Sequence, residues 1–249
     1  MISVTTVSFD MSLKDTVGVM VNGKAVVFAD ETQMNDPRTL CELIERTGAD
    51  GINATPSRFR EYLEYRPFAE ALSRMKLIAA GGESFPQSLL RTLQSLGGAR
   101  ILNTYGPTEI TVSSNMAELT KAETVTNGKP ILNTIEYIVD QNGSLTPAGV
   151  KGELLIGGPG VAAGYRGLKE QTEERFITCK GERVYRSGDY ARWTEDGQVV
   201  ILGRMDDQIK LRGLRIELSE IQSVLEEQPG VKSAVVTVKK REGEEFLAA

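Results

Sequence analysis

Apolar and polar positions along this chain keep two different rhythms. Through residue 112, short apolar runs alternate with stretches whose apolar residues recur at helical spacing. Residues 24–29, 49–54, 75–80 and 99–102 predict strands. Between them, residues 36–48 predict a helix, with Asp36 at the cap, Pro37 in the first turn and Gly48 past the end. Leu40, Leu43 and Ile44 give that helix one apolar stripe. Residues 56–64 and 84–96 predict two more helices, the second stopped by Gly97 and Gly98. This alternation predicts a mostly parallel sheet with helices on its faces. In such a sheet, ligands bind beyond the carboxyl ends of the strands.

After residue 112 the rhythm shortens. Residues 135–140, 152–156, 184–186 and 198–202 predict brief strands separated by Gly, Pro and Asn turns. That texture predicts a small all-β unit, a barrel or a sandwich. A third piece starts near Gly203, with a strand at 208–212, a helix at 218–227 closed by Pro229 and Gly230, and a strand at 232–239. The final apolar run, 245–249, has no evident partner.

Composition narrows the function. A chain of 249 residues can bury one large core or two smaller ones. The net charge of −5 argues against non-specific nucleic-acid binding. Cys41 and Cys179 lie far apart, without metal-ligand spacing, so a reducing compartment is expected. No apolar run is long enough to span a bilayer. The first ten residues lack the basic and apolar regions of a signal peptide, so a cytoplasmic location is expected. The chain has no histidine. Ser-His-Asp and Cys-His nucleophiles and His-ligated metals are therefore excluded. Catalysis falls to Asp, Glu, Lys, Arg, backbone dipoles or a carried metal ion.

Five segments stand out. They are FDMS (9–12), NTYGPTE (103–109), GELLIGGPGVAAGY (152–165), VYRSGDY (184–190) and GRMDDQIKLRGLRIELSEI (203–221). Each alone has a plain reading. The glycine-rich run lacks the Gly-Lys-Ser/Thr of a P-loop and reads first as a tight turn. Asp189 alone reads as a turn residue, and the charged run after Gly203 as a solvated hairpin.

Their order and spacing resemble the second part of an adenylation domain of the nonribosomal peptide synthetase type. Those domains belong to the adenylate-forming superfamily, with acyl-CoA ligases and luciferases. The resemblance covers essentially the whole chain. It implies an α/β plus β fold: half of a large parallel α/β layered domain (1–112), a small distorted β-barrel (113–203), then a hinge and the start of an α+β C-terminal subdomain (204–249).

The resemblance also implies roles. The substrates are an amino acid and ATP, with Mg²⁺, and the acceptor is phosphopantetheine on a peptidyl carrier domain. A condensation domain is a further partner that it allows. Nucleic acid and membrane are not expected partners. Thr104, Tyr105 and Gly106 belong to the turn that receives the nucleotide, with Tyr105 stacking on adenine. Thr108 contacts phosphate, and Glu109 holds the metal. Asp189 accepts the ribose hydroxyls and Arg204 sits beside it. Asp206 is the hinge, and Lys210 belongs to the loop lining the phosphopantetheine tunnel. Asp10 pairs with the substrate ammonium. Met11, Lys14, Asn53, Ile78, Ala80, Thr104, Val112 and Ser113 line the side-chain pocket.

Two points stay open at this level. Lys14 either faces the pocket, where a cation suits an acidic or polar side chain, or points away on a shifted helix. The resemblance also places a phosphate-binding loop upstream of residue 1 and a catalytic Lys downstream of residue 249, so the chain alone is expected to be catalytically incomplete. Ser219 stands where the family usually has Gly. Alternatives are a fragment of an acyl- or aryl-CoA ligase, which Asp10 disfavours, and a scaffold module that kept the fold without the chemistry.

Overall fold

A computed structural model describes residues 1–249 apart from Asp207, Arg212, Gly213, Pro229, Lys232, Glu242 and Gly243. Strand β1 (Ile2–Ser3) leads into a π-helical turn, Lys14–Gly18, and a short α1 (Val19–Val21). Then come β2 (Val27–Phe28), α2 (Glu31–Asn35), α3 (Pro37–Thr47), β3 (Gly51–Ala54), α4 (Pro56–Leu63), α5 (Arg66–Ser73), β4 (Leu77–Gly81), α6 (Gln87–Leu96) and β5 (Arg100–Tyr105). The punctuation around α3 works as its residues dictate. The Asp36 carboxylate accepts the Arg38 amide, Pro37 opens the helix, and Gly48 closes it in the left-handed conformation. Leu40, Leu43 and Ile44 are buried, and Cys41 joins them.

The five strands pair in parallel in the order β2-β1-β3-β4-β5. Every residue of β3 is buried, as expected of a strand covered on both faces. The order reverses at β1, and chain leaving the carboxyl edge near such a reversal forms a crevice. Phe59, Tyr62, Phe68, Leu72, Leu90 and Ile101 belong to the core packed on this sheet.

Two further strands, β6 (Asn115–Glu118) and β7 (Lys129–Pro130), extend the same sheet in antiparallel fashion. The sheets therefore divide after Pro130, not at residue 112 where the sequence texture changes. The second sheet holds β8 (Ile135–Val139), β9 (Gly152–Gly157), then, after α7 (Lys169–Arg175), β10 (Phe176–Cys179), the long β11 (Glu182–Trp193) and β12 (Val199–Arg204). All its pairings are antiparallel. Tyr105 and Ile110, from the end of the first sheet, are buried in the second core with Ile138, Leu154, Ile156 and Tyr185. The two sheets share a seam there.

Beyond Arg204 lie a hairpin, β13 (Gln208–Leu211) with β14 (Leu214–Glu217), the helix α8 (Leu218–Glu226), and a second hairpin, β15 (Thr237–Arg241) with β16 (Glu244–Ala248). The expectation that the final apolar run lacks a partner is corrected: Val238 stands opposite Leu247 in an antiparallel ladder. A hairpin closes on neighbouring chain and needs no strand from elsewhere. Helices α2, α5 and α7 were not legible, each having eight residues or fewer. Among the described residues, no helix is long and apolar enough to cross a membrane.

Candidate active site

One cleft opens at the carboxyl edge of the parallel sheet. Its walls come from the segment after β1 (Phe9, Asp10, Met11, Lys14), from Gly82 after β4, and from the end of β5 and its turn (Thr104 to Thr108, with Val112). The second sheet adds Tyr185, Asp189 and Arg204, and Gln208 comes from the C-terminal piece. Three of the five sequence motifs meet in it, and the first residues of the last motif close it.

The turn at the end of β5 is built under strain. Gly106 lies so close to the returning chain that a Cβ there would be 2.5 Å from the Ser113 Cα. Thr108–Ile110 make one 3₁₀ turn, and Thr111 and Val112 follow with φ of 64° and 75°. Positive φ at two consecutive β-branched residues is rare and costs about 1–3 kcal/mol each. The surrounding packing must hold it. The result is that Glu109 is buried, its carboxylate accepting the Tyr165 hydroxyl at 2.7 Å.

On the opposite wall, β11 is irregular against both neighbours, with register shifts between Arg186 and Tyr190 and between Tyr190 and Ala191. Such bulges re-aim a side chain. Gly188 has φ 68°, and a Cβ there would crowd Arg204 Nη2, Arg175 Nη1 and Asp206 Oδ2 at 3.0–3.3 Å. Asp189 is thereby aimed at the cleft. It accepts the Tyr105 hydroxyl and, at 3.3 Å, Arg204 Nη1. Burial, then the Asp189 charge, push the Tyr105 phenol far above its usual range, so it stays a donor. Arg204 also donates to the Ser187 carbonyl at 2.6 Å and grips Asp206 with two bonds of 2.9 and 2.6 Å. Burial alone would raise the Asp206 carboxyl, but Arg204, with Arg175 at 3.7 Å, holds it below the usual carboxylate value.

The first wall carries the opposite charges. Lys14 Nζ donates to Thr104 Oγ1 at 2.8 Å, so it faces the cleft and not solvent. Burial lowers its pKa, partly offset by the Asp15 and Asp10 carboxylates. Among the described residues, four buried side-chain polar atoms lack a hydrogen-bond partner: Asp10 Oδ2, Asn53 Oδ1, Ser113 Oγ and Glu136 Oε1. The first three belong to expected substrate-pocket residues. Buried polar atoms are almost always paired, and Asp10 is the one of the four that lines the cleft, so its free oxygen marks a location for a ligand or water.

Not every expected residue reaches the cleft. Ile78 and Ala80 are fully buried in the core under the sheet. Asn53 lies behind the wall, donating to Asp15 Oδ1 at 2.7 Å, and Ser113 lies behind Gly106. The backbone of Lys210 pairs with Arg215 in β13–β14. Its side chain lies outside the described residues, as does the rest of the 212–213 loop.

Sequence reasoning missed Asp15, Tyr165, Arg175 and Glu136. Asp15 follows Lys14 directly and belongs to none of the five motifs. It is fully buried, bonded by Asn53 and by Thr5 at 3.1 Å, and burial raises it to about 6. Glu136 interrupts an apolar strand and faces inward. Asn115 Nδ2 donates to it at 3.0 Å, and burial raises it to about 7. A carboxylate at an inward position of a buried strand was the available signal.

The donor set fits a magnesium nucleotide. Mg²⁺ keeps several waters and is usually held by one or two carboxylates together with substrate phosphates. Glu109 is the carboxylate next to Thr108 on the 3₁₀ turn, but it is buried against Tyr165 and is not among the residues lining the cleft. No cluster of three or more His, Cys, Asp or Glu that could hold a metal exists among the described residues.

Known proteins place this geometry. A family model described as "AMP-binding enzyme" matches residues 1–166, and the chain belongs to that family. Within it, the chain is a segment of the nonribosomal peptide synthetase adenylation type. It is 39% identical over 249 residues to tyrocidine synthase 3 of Brevibacillus parabrevis, covering 96% of this chain and 4% of that protein. It is 38% identical to a dimodular nonribosomal peptide synthase of Bacillus subtilis (strain 168), covering 100% and 11%. Among solved structures, IdnL1 superposes with a TM-score of 0.89 at 27% identity, over 99% of this chain and 53% of that one. PA1221, described as an NRPS protein containing adenylation and PCP domains, gives 0.88 at 27% over 99% and 51%. The chain thus spans about half of those solved chains and a small part of the synthases.

Proposed function

We propose that this chain contributes the amino-acid and nucleotide cleft of an enzyme that activates an amino acid as its aminoacyl-adenylate, for transfer to the phosphopantetheine thiol of a peptidyl carrier domain. The observation carrying this reading is the buried, unpartnered Asp10 Oδ2 in the same cleft as Thr108, Asp189 and Arg204. A buried carboxylate oxygen without a donor calls for a cation, and a substrate ammonium supplies one. The amino-acid carboxylate attacks the α-phosphorus of ATP, the bond to the bridging oxygen breaks, and pyrophosphate leaves. Asp10 fixes the ammonium end, Asp189 receives ribose hydroxyls, Thr108 donates to phosphate oxygen and Arg204 stands beside the ribose. Tyr105 forms a wall for the adenine. Glu109 would hold Mg²⁺, which offsets phosphate charge. Fixed geometry and charge compensation are most of what such a displacement needs.

Lys14 gives the side-chain preference. A partly desolvated cation beside Asp10 and Thr104 suits an amino acid with an acidic or strongly accepting side chain. Residues 1–112 serve as the amino-acid and nucleotide platform, the second sheet within 113–203 as the β-barrel cover and 204–249 as the moving piece, with Asp206 the hinge between the last two and Lys210 on the thiol-facing loop. A CoA ligase reading shares the fold, as a TM-score of 0.86 with o-succinylbenzoate CoA synthetase at 21% identity indicates. Asp10 argues for an amino acid instead.

The test is amino-acid-dependent ATP–pyrophosphate exchange over a panel including Glu and Asp. It is run with this chain and with the same chain joined to family-type segments upstream of residue 1 and downstream of residue 249. Exchange only in the joined protein, with an amino acid required, supports the reading. Exchange with aryl or fatty acids and none with amino acids replaces it by the ligase reading.

A further inference from the structure

We infer that the glycine-rich segment 157–165 is a clamp that fixes Glu109, and that Tyr165 is a positioning residue for the Glu109 carboxylate. This rests on the reading of Glu109 as the metal-holding carboxylate. The segment has no phosphate-loop signature, so its glycines need another cause. Each of three meets a different neighbour. A Cβ on Gly158 would lie 2.3 Å from the Asn133 carbonyl oxygen, one on Gly160 2.6 Å from the Ile110 carbonyl oxygen, and one on Gly164 2.3 Å from the Thr172 side chain. The middle contact falls on the 3₁₀ turn that carries Glu109. Glycine there lets two backbones touch.

Two bonds then lock that approach. The Ala162 amide donates to the Glu109 carbonyl at 2.8 Å, and Thr111 Oγ1 donates to the Gly160 carbonyl at 2.8 Å. The segment is pinned from its other side by Arg183, which donates to the Ala162 and Ala163 carbonyls at 2.6 and 2.8 Å. Tyr165 completes the clamp. Its amide donates to Thr172 Oγ1 at 2.9 Å, its ring stands edge-on to Phe176 at 5.5 Å, and its hydroxyl donates to Glu109 Oε1 at 2.7 Å. One carboxylate oxygen is thereby held in a fixed direction, and the strained Thr111–Val112 backbone is held with it. Partners that orient a metal-holding carboxylate typically matter about 10–100-fold in metal affinity.

The test uses the 249-residue chain with saturating ATP and Mn²⁺ as an electron-paramagnetic probe. Amide hydrogen exchange at Ala162 is read in parallel without metal. Tyr165→Phe keeps the ring on Phe176 and removes only the hydroxyl. Thr111→Val removes the other side-chain bond of the clamp. The expected result is Mn²⁺ affinity about tenfold or more weaker in Tyr165→Phe, and no further loss when Tyr165→Phe is added to Glu109→Gln. Ala162 exchange should quicken in both clamp variants. Parent-like Mn²⁺ affinity and parent-like Ala162 exchange in Tyr165→Phe overturn the inference. If Glu109→Gln leaves Mn²⁺ binding intact, the metal reading falls, and Ala162 exchange alone decides the clamp: faster supports it, unchanged overturns it.

Discussion

Lys14 and Thr104 are ninety positions apart and meet at 2.8 Å across the mouth of the cleft. The bond joins the π-helical turn that follows the Asp10 segment to the end of β5, which leads into the NTYGPTE turn. It also settles the orientation of Lys14, which the sequence left even. A π-turn is rare and often marks a functional position. Here it brings Lys14 to the cleft while Asp15, the next residue, turns fully inward.

Substitution of Lys14 should change substrate choice. In the joined, exchange-competent protein, Lys14→Met is expected to lower the ratio of acidic to neutral amino acids by about tenfold or more, since a site that loses a charged partner discriminates poorly. Lys14→Glu should reverse the preference toward basic side chains. The check is kcat/KM across the panel. An unchanged profile in both variants removes Lys14 from substrate recognition.

Glu136 sets a pH dependence of stability. Burial raises its carboxyl to about 7 from 4.5. The groups facing it are Asn115 and Ser114 from the neighbouring sheet, with Tyr105 close by. The folded state therefore keeps a proton that the unfolded chain has released between these two values. Its contribution to stability is complete below about pH 4.5, falls as pH rises, and is gone above about 7. Glu136→Gln keeps an acceptor for Asn115 and should flatten this decline, leaving the variant more stable than the parent at pH 8 by about 2–3 kcal/mol. Urea midpoints at pH 5 and pH 8 measure it. Equal pH slopes in parent and variant would show that Glu136 titrates normally.

Gly160→Ala should be costly for a reason local to the site. Its Cβ would press on the Ile110 carbonyl at 2.6 Å. Backbone cannot give as a side-chain tip can, so about 1–3 kcal/mol is expected, seen as a Tm lower by about 2–4 °C for each kcal/mol. Gly18→Ala is the control, because its Cβ would meet only the Leu13 carbonyl at an ordinary 3.6 Å. That change should be neutral or stabilising.

Asp206 responds to acid in the opposite sense to Glu136. Its carboxyl is held below the usual value by Arg204 and Arg175 against burial. Its contribution is present above pH 3.8 and is lost as pH falls through the depressed value. Arg175→Gln should narrow this effect only slightly at neutral pH, by less than about 1 kcal/mol, because the pair is partly exposed. Denaturant midpoints at pH 3 and pH 7 distinguish the two arginines: Arg204→Gln should cost far more.

The parts of the fold written in punctuation were legible. Asp36, Pro37 and Gly48 bounded α3 to within a residue, and glycine pairs and apolar runs located β3, β4 and β5. Motif order carried the cleft: Asp10, Met11, Lys14, Thr104, Val112, Asp189 and Arg204 do line one space. What escaped depends on long-range approach. Nothing adjacent to Tyr165 signals that its hydroxyl meets Glu109 across 56 positions. Nor does the spacing of Ile78 and Ala80 tell which face of β4 the core will claim. The join of β6 and β7 to the first sheet was missed because antiparallel additions to a parallel sheet carry no helix to announce them.

One topological feature has a mechanical consequence. Neither hairpin beyond Asp206 shares a ladder with either larger sheet among the described residues. Met205 still bonds Gly188 at 2.8 Å, yet from that point on the chain is held to the rest without shared strands. Gln208, just past this crossing, is one of the residues enclosing the cleft. A swing of the hairpins would leave both sheets whole while withdrawing Gln208 from the cleft.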